Sequence, residues 1–159
     1  VHAFKLAGAQ ADGAISWVCP GSYLREVALP VMRVGAEKSE CPVPTLVAQI
    51  PVCVHDDAKE ARETVRQRFA SNARCSPFCQ AMFVAAGSPE VSQGIWSDAM
   101  VDAVAAWGDE SRVSEGLQRL FTLGALEILA SPVPAGAHKD ASLDRTLRLL
   151  AQVATSTTG

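Results

Sequence analysis

Apolar positions along the chain fall into two periods that trade places. Val1 to Gly8 is spaced as a helix, and Ala11-Asp12-Gly13 hands over to a strand, Ala14-Ile15-Ser16-Trp17-Val18. After a turn at Cys19-Pro20-Gly21, Ser22 is placed as an N-cap. Leu24, Val27, Ala28 and Val31 then share one face, predicting a helix from Tyr23 into the mid-thirties, with Pro30 kinking it. Thr45 to Val54 is almost continuously apolar, as befits a parallel strand covered on both faces, and Pro51 within it predicts a bulge. Asp57 and Glu60 form a capping box for a helix that buries Ala58, Ala61, Val65 and Phe69 and turns Lys59, Arg62, Glu63 and Arg66 to water.

Further helices are predicted over Arg74–Gly87 and Trp96–Ala106. Another opens at Gly108-Asp109-Glu110, buries Val113, Leu117, Leu120 and Phe121, and stops at Gly124. Leu126–Ala130 reads as a third strand, Ser131–Gly136 as a loop at its end, and Asp140–Val153 as a closing helix with Leu143, Leu147 and Leu150 inward. Strands alternating with helices imply parallel pairing with right-handed crossovers. Three strands are too few for a closed barrel, and no strand precedes the opening helix. Both features read as the C-terminal part of a larger α/β protein, one domain over residues 1–159 with a helical excursion at 56–124.

Composition narrows the classes of partner. With 48% hydrophobic and 19% charged residues the 159-residue chain is that of a globular domain with a core of its own. A net charge of −3 offers no pull toward nucleic acid or an anionic membrane surface. No apolar run reaches the roughly 18 residues of a membrane span. Five cysteines, an odd and scattered count, point to reduced thiols in a cytoplasm rather than a disulfide scaffold. Patterns for a phosphate loop, a dinucleotide fold, a serine nucleophile elbow or a zinc protease are missing. Cys75 and Cys79, four apart with Pro77 between them, do not have the spacing of a zinc knuckle.

The run Leu6-Ala7-Gly8-Ala9-Gln10-Ala11-Asp12-Gly13-Ala14-Ile15-Ser16-Trp17 resembles the helix-to-strand passage of the luciferase-like monooxygenases. Three later passages resemble the same family in the same order: Leu46–Val54 with His55-Asp56-Asp57, Trp107 to Val113, and Leu123 to Ala130. In style they are similar to the subgroup that uses coenzyme F420, a deazaflavin. The resemblance implies a partial (β/α)8 barrel holding about the last three parallel strands, with 56–124 as a helical insertion before the last one. It implies hydride transfer or oxygen activation on a small organic substrate, with F420 or FMN as cofactor. The family's phosphate loop would precede the first helix, leaving only its edge, Val1 and His2, in this chain.

In such barrels the chemistry sits at the C-terminal ends of the strands. The resemblance therefore places His2, Gly8, Trp17 and Cys19 on the cofactor side, and His55, Phe78, Met82 and Phe83 around a substrate pocket. Each has a plainer reading: Trp17 as a core aromatic, His55 as a loop residue beside a cap, and the three residues of the excursion as its own small core. No residue is assigned as a catalytic acid, base or metal ligand. The other class of function is a non-catalytic fragment or interaction module that pairs with a second copy or with the missing N-terminal half.

Overall fold

Gly13–Ser16 (β1), Thr45–Val54 (β2), Ala106–Gly108 (β3) and Glu127–Pro132 (β4) make one sheet, and every pairing in it is parallel. The computed structural model describes residues 1–75, 77–123 and 127–156, the side chains of 70–75 excepted. The readings of Gly124 as a helix stop, of Leu126 as a strand start and of Cys75 as a metal candidate lie outside the described residues. The helices are α1 (His2–Gln10), α2 (Gly21–Tyr23), α3 (Leu29–Lys38), α4 (Ala58–Cys75), α5 (Pro77–Ala85), α6 (Asp98–Val104), α7 (Glu110–Thr122) and α8 (Lys139–Ser156).

β2 is the centre of the sheet. Its residues 47 and 48 pair with β1 and also with β4, and Val52 pairs with Ala106 of β3 and also with Pro132 of β4. β1 and β3 therefore share one edge of β2 in tandem, and β4 takes the other. Pro51 causes no bulge. Its register with β4 is continuous, Pro51 opposite Ser131, and its missing N–H falls in the gap between the two strands on the shared edge. Pairing there stops at Ala48 and resumes at Val52.

The two faces of β2 bury different things. Leu46, Ala48, Ile50, Val52 and Val54 pack with Leu24, Ala28 and Met32 and with Val113 and Leu117 of α7, the layer outside the sheet. Cys53, on the other face, packs with Ala61, Val65, Phe69, Phe83, Val91, Trp96, Met100 and Val101 of the excursion. The strand ends Val18 and Val133 belong to that second cluster.

Several elements depart from the sequence pattern, each for a local reason. The helix after β1 begins at Gly21 with Pro20 as its N-cap, so Ser22 lies inside the first turn and caps nothing. Pro30 does not split it; a π-helical turn over Leu24–Ala28 precedes α3 and carries the chain past the missing donor. The expected helix over Trp96–Ala106 runs only from Asp98 to Val104, capped by Ser97, and gives way to the three-residue β3. A strand that short carries no periodicity. The excursion is thus helical except for β3, with a 3-10 turn at Pro89–Gln93.

α8 buries a different stripe from the one its leucines predict. Ser142, Thr146 and Leu149 are inward, while Leu147 is 48% exposed. β4 stops pairing at Val52, and the two hydroxyls of α8 serve the backbone beyond it. Val54 N–H donates to Thr146 Oγ1 (3.2 Å), Ser142 Oγ donates to Val54 O (3.1 Å), and Ala135 N–H donates to Ser142 Oγ (3.1 Å). Buried backbone groups need partners, so polar residues win this face.

Candidate functional site at the strand ends

In a parallel sheet with helical crossovers the helices run against the strands, so α1 starts and α8 starts beside the strands' C-terminal ends. Gly8 and Gly35 set where α1 lies. A Cβ at Gly8 would sit 2.1 Å from the Met32 carbonyl oxygen, and one at Gly35 would sit 2.3 Å from that of Lys5. Only glycine at both positions lets the helices approach this closely. The N-terminus of α1, with Val1 as N-cap, has no side-chain cap, and His2 there is exposed.

Beyond β1, Val18 packs into the inner cluster and Cys19 into the outer one. Trp17 is 58% exposed on the inner face of the sheet, next to Ile15 at 66%. Val18 and Cys19 are buried. Burial pushes the Cys19 thiol up to about 12, with a smaller push from the Cys79 thiol.

Gln49, on the inner face of β2, is 2% exposed and fills the gap on the shared edge. Its Oε1 accepts the Val18 N–H (3.0 Å) and its Nε2 donates to Ser131 Oγ of β4 (2.8 Å). Nothing in the periodicity points to it. The signal that was available is a lone amide inside an otherwise apolar strand core, a buried polar group that must be bonded.

His55 follows β2 and is held on three sides. Its backbone N–H donates to Gly108 O (2.8 Å), its Nε2 meets Glu60 Oε2 (3.0 Å), and its ring lies against Gly136. A Cβ at Gly136, where φ is +78°, would come within 2.8 Å of His55 Cε1. The capping box is therefore half formed. Asp57 Oδ1 accepts the N–H of Lys59 and of Glu60, whereas the Glu60 carboxylate serves His55. Those N–H bonds hold the Asp57 carboxyl below its usual range.

The three positions of α5 divide. Phe83 is 2% exposed and packs edge-on against Trp96 at 5.1 Å, in the cluster that reaches Cys53. Met82 touches both clusters, and Cys19 belongs to one of them. Phe78 is 87% exposed and lines nothing in common with the other two. Arg62 and Arg66 of α4 are not solvated as their helix position predicts. They pair with Asp98 and Asp102 of α6, and Arg62 and Arg112 lie over the Trp107 ring at 4.4 and 4.0 Å. Among the described residues no cluster of His, Cys, Asp and Glu has the makings of a metal site. An apolar cavity of about 280 Å³ lies on the outer side of the sheet, between Leu117 and Phe121 of α7, Ile128 of β4 and Leu150 of α8.

The fold is α/β, a parallel sheet with its helices arranged as in part of a (β/α)8 barrel, and solved structures bear the likeness out. An F420-dependent secondary alcohol dehydrogenase, solved with an F420-acetone adduct, superposes with a TM-score of 0.71 at 16% identity, over 96% of this chain and 46% of that one. The coenzyme F420-dependent tetrahydromethanopterin reductase of Methanopyrus kandleri gives 0.63 at 19% identity, over 89% and 45%. The oxygenating constituent of 3,6-diketocamphane monooxygenase from Pseudomonas putida, solved with FMN, gives 0.56 at 18%, over 92% and 43%. The chain spans about half the length of these structures.

The sequence model of the luciferase-like monooxygenases matches residues 2–127, and the chain belongs to that family. A comparison with curated proteins gave no match. No helix among the described residues is long and apolar enough to cross a membrane.

Proposed function

We propose that the chain supplies the C-terminal half of the barrel of an F420- or FMN-dependent oxidoreductase that acts on a small organic substrate in the cytoplasm. The observation that carries this reading is the gathering of the uncapped start of α1, the Trp17–Cys19 turn and the clamped His55 at the same ends of a luciferase-like sheet.

The residues fit such a cofactor in kind. Trp17 and Ile15 present exposed apolar surface for a planar ring. Arg145 near the strand ends is taken up by Asp56 and Glu110, which leaves a phosphate to the free N–H groups of α1 around His2. Gly8 contributes by fixing where that helix starts. Cys19 closes the cofactor side, and His55 and Met82 border the substrate. Phe83 backs them from within the insertion, and Phe78 lies outside. Bound there, a flavin or deazaflavin supplies hydride exchange with a substrate carbon, or oxygen activation in the flavin's case. The protein's part is to position the reactants and to exclude water under the insertion.

The exposed Ile15, Trp17 and Leu129 on the inner face also favour a second reading, an interaction module whose partner is the N-terminal half or another copy. Fluorescence titration with F420 and with FMN separates the two, using this chain and a product that includes any in-frame upstream coding sequence. The chain alone is expected to bind neither below micromolar concentrations, and the longer product to bind one of them. Submicromolar binding by the chain alone, no binding by the longer product, or binding unchanged by Trp17→Ala would overturn the assignment.

A further inference from the structure

Among the described residues two non-glycine positions have left-handed backbone, Val18 (φ +45°) and Glu40 (φ +53°), and only one of them is explained by secondary structure. Glu40 follows the C-cap of α3. The N–H of Cys41 bonds to Ala36 O and that of Glu40 to Glu37 O, the Schellman pattern in which a left-handed residue is ordinary. Val18 ends no helix, and it is β-branched, for which a positive φ is unusual. Strained backbone of this kind persists where surrounding structure over-determines it.

The structure supplies one such restraint. We infer that Gln49 is a positioning residue that holds the Trp17–Val18–Cys19 turn in its strained form by clasping it to β4 across β2. The amide takes the Val18 N–H at 3.0 Å and is itself fixed by its bond to Ser131 Oγ at 2.8 Å. Gln49 is 2% exposed, so neither bond has water as a ready substitute. It stands in the gap where β2 has lost β1 and not yet gained β3, so no ladder bond does this work. Turning Val18 inward sends its neighbours apart, Trp17 to the open inner face and Cys19 into the outer core. The clasp thus sets the direction of both side chains. The inference rests on these bonds and this strain and does not depend on which cofactor, if any, the protein binds.

The test compares thiols within one molecule. Cys19 and Cys53 are both buried; Cys19 is a residue of the turn itself, whereas Cys53 lies within β2 and is held by its pairing with Trp107 of β3. Maleimide labelling of the native chain, followed by peptide mass spectrometry, gives a rate for each. Gln49→Leu should speed Cys19 labelling about tenfold, the effect of one lost buried hydrogen bond on a local opening, with Cys53 unchanged. Ser131→Ala, which removes only the outer anchor, should do the same to a smaller extent and serves if the leucine variant does not fold. The Trp17 emission should move in both, measured against Trp17→Phe to isolate it. Equal acceleration of Cys19 and Cys53 would reduce Gln49 to a global stabiliser and overturn the inference. So would unchanged Cys19 labelling.

Discussion

Thr146→Val should destabilise the fold more than Leu147→Ala, against what the helical pattern of α8 predicts. Thr146 is fully buried, and valine replaces its hydroxyl with a methyl of nearly the same volume, so no cavity opens. What changes is the Val54 N–H, which is buried, has lost β4 as a partner and donates to Thr146 Oγ1 at 3.2 Å. A buried donor left unpaired costs about 1–3 kcal/mol. Leu147 is 48% exposed, so truncating it removes apolar surface that is already half in water, about 1 kcal/mol or less. Ser142→Ala strands two groups, Val54 O and Ala135 N–H, for about 2–4 kcal/mol. Because Ser142 and Thr146 serve the same residue, the double variant should cost less than the two single costs added. Urea melts followed by far-UV circular dichroism read these differences as shifts in midpoint at constant slope. A larger loss from Leu147→Ala than from Thr146→Val would show that the leucine stripe, and not the hydroxyl pair, docks α8.

Gly8→Ala should cost about 3 kcal/mol or more in the same melts, since its Cβ would meet the Met32 carbonyl at 2.1 Å; a loss near the few tenths of an exposed helix site would contradict the close crossing of α1 and α3. In native labelling at pH 8, Cys41 and Cys79 should react well before Cys19 and Cys53, whose thiols burial holds up at about 12 and about 11; early modification of Cys53 would refute its burial. Hydrogen bonds from Arg66 hold the Asp98 carboxyl below its ordinary 3.8, so its contribution is present above that value and is lost as pH falls through the lower folded one. Asp98→Asn should therefore flatten the acid limb of stability below about pH 4, and a limb as steep as the wild type's would remove this pair from the account.

How much of this was legible in the sequence depends on which interaction decides each element. Where apolar burial decides, the pattern was sufficient. β2 runs from Thr45 to Val54 as its continuous apolar run predicts, and α4 buries Ala61, Val65 and Phe69, although Ala58, in its first turn, is exposed. Where buried backbone had to be satisfied, the pattern misled. The inward face of α8 is set by Val54, and the Glu60 carboxylate leaves its helix cap for His55. Pro51 drew the expectation of a bulge because a proline's cost depends on what lies opposite its nitrogen. Here that is a gap between strands, which only the tertiary arrangement reveals.

The site divides along the same line. That Trp17, Cys19 and His55 follow strand ends was legible, because strand ends follow from the pattern. Gln49 and Glu60 were not. Their partners lie on other elements, Val18 and Ser131 for one and the histidine after β2 for the other. Met82 and Phe83 are about 100° apart on α5 and meet different surroundings, whereas Phe78 shares a face with Met82 but stands in the first turn of the helix, 87% exposed.

The helical excursion has no core separate from the strands. Its buried cluster is closed from below by Val18, Cys53, Val133 and Ala135, residues of the strand ends and the loop after β4. Lifting it as a lid would open that cluster and expose Phe83, Val91 and Val101, all of them at most 2% exposed. The excursion is therefore built as a fixed wall on the strand ends and not as a lid. By contrast Ile15 and Trp17 stand open in this chain, on the side where the proposed N-terminal half would close the barrel.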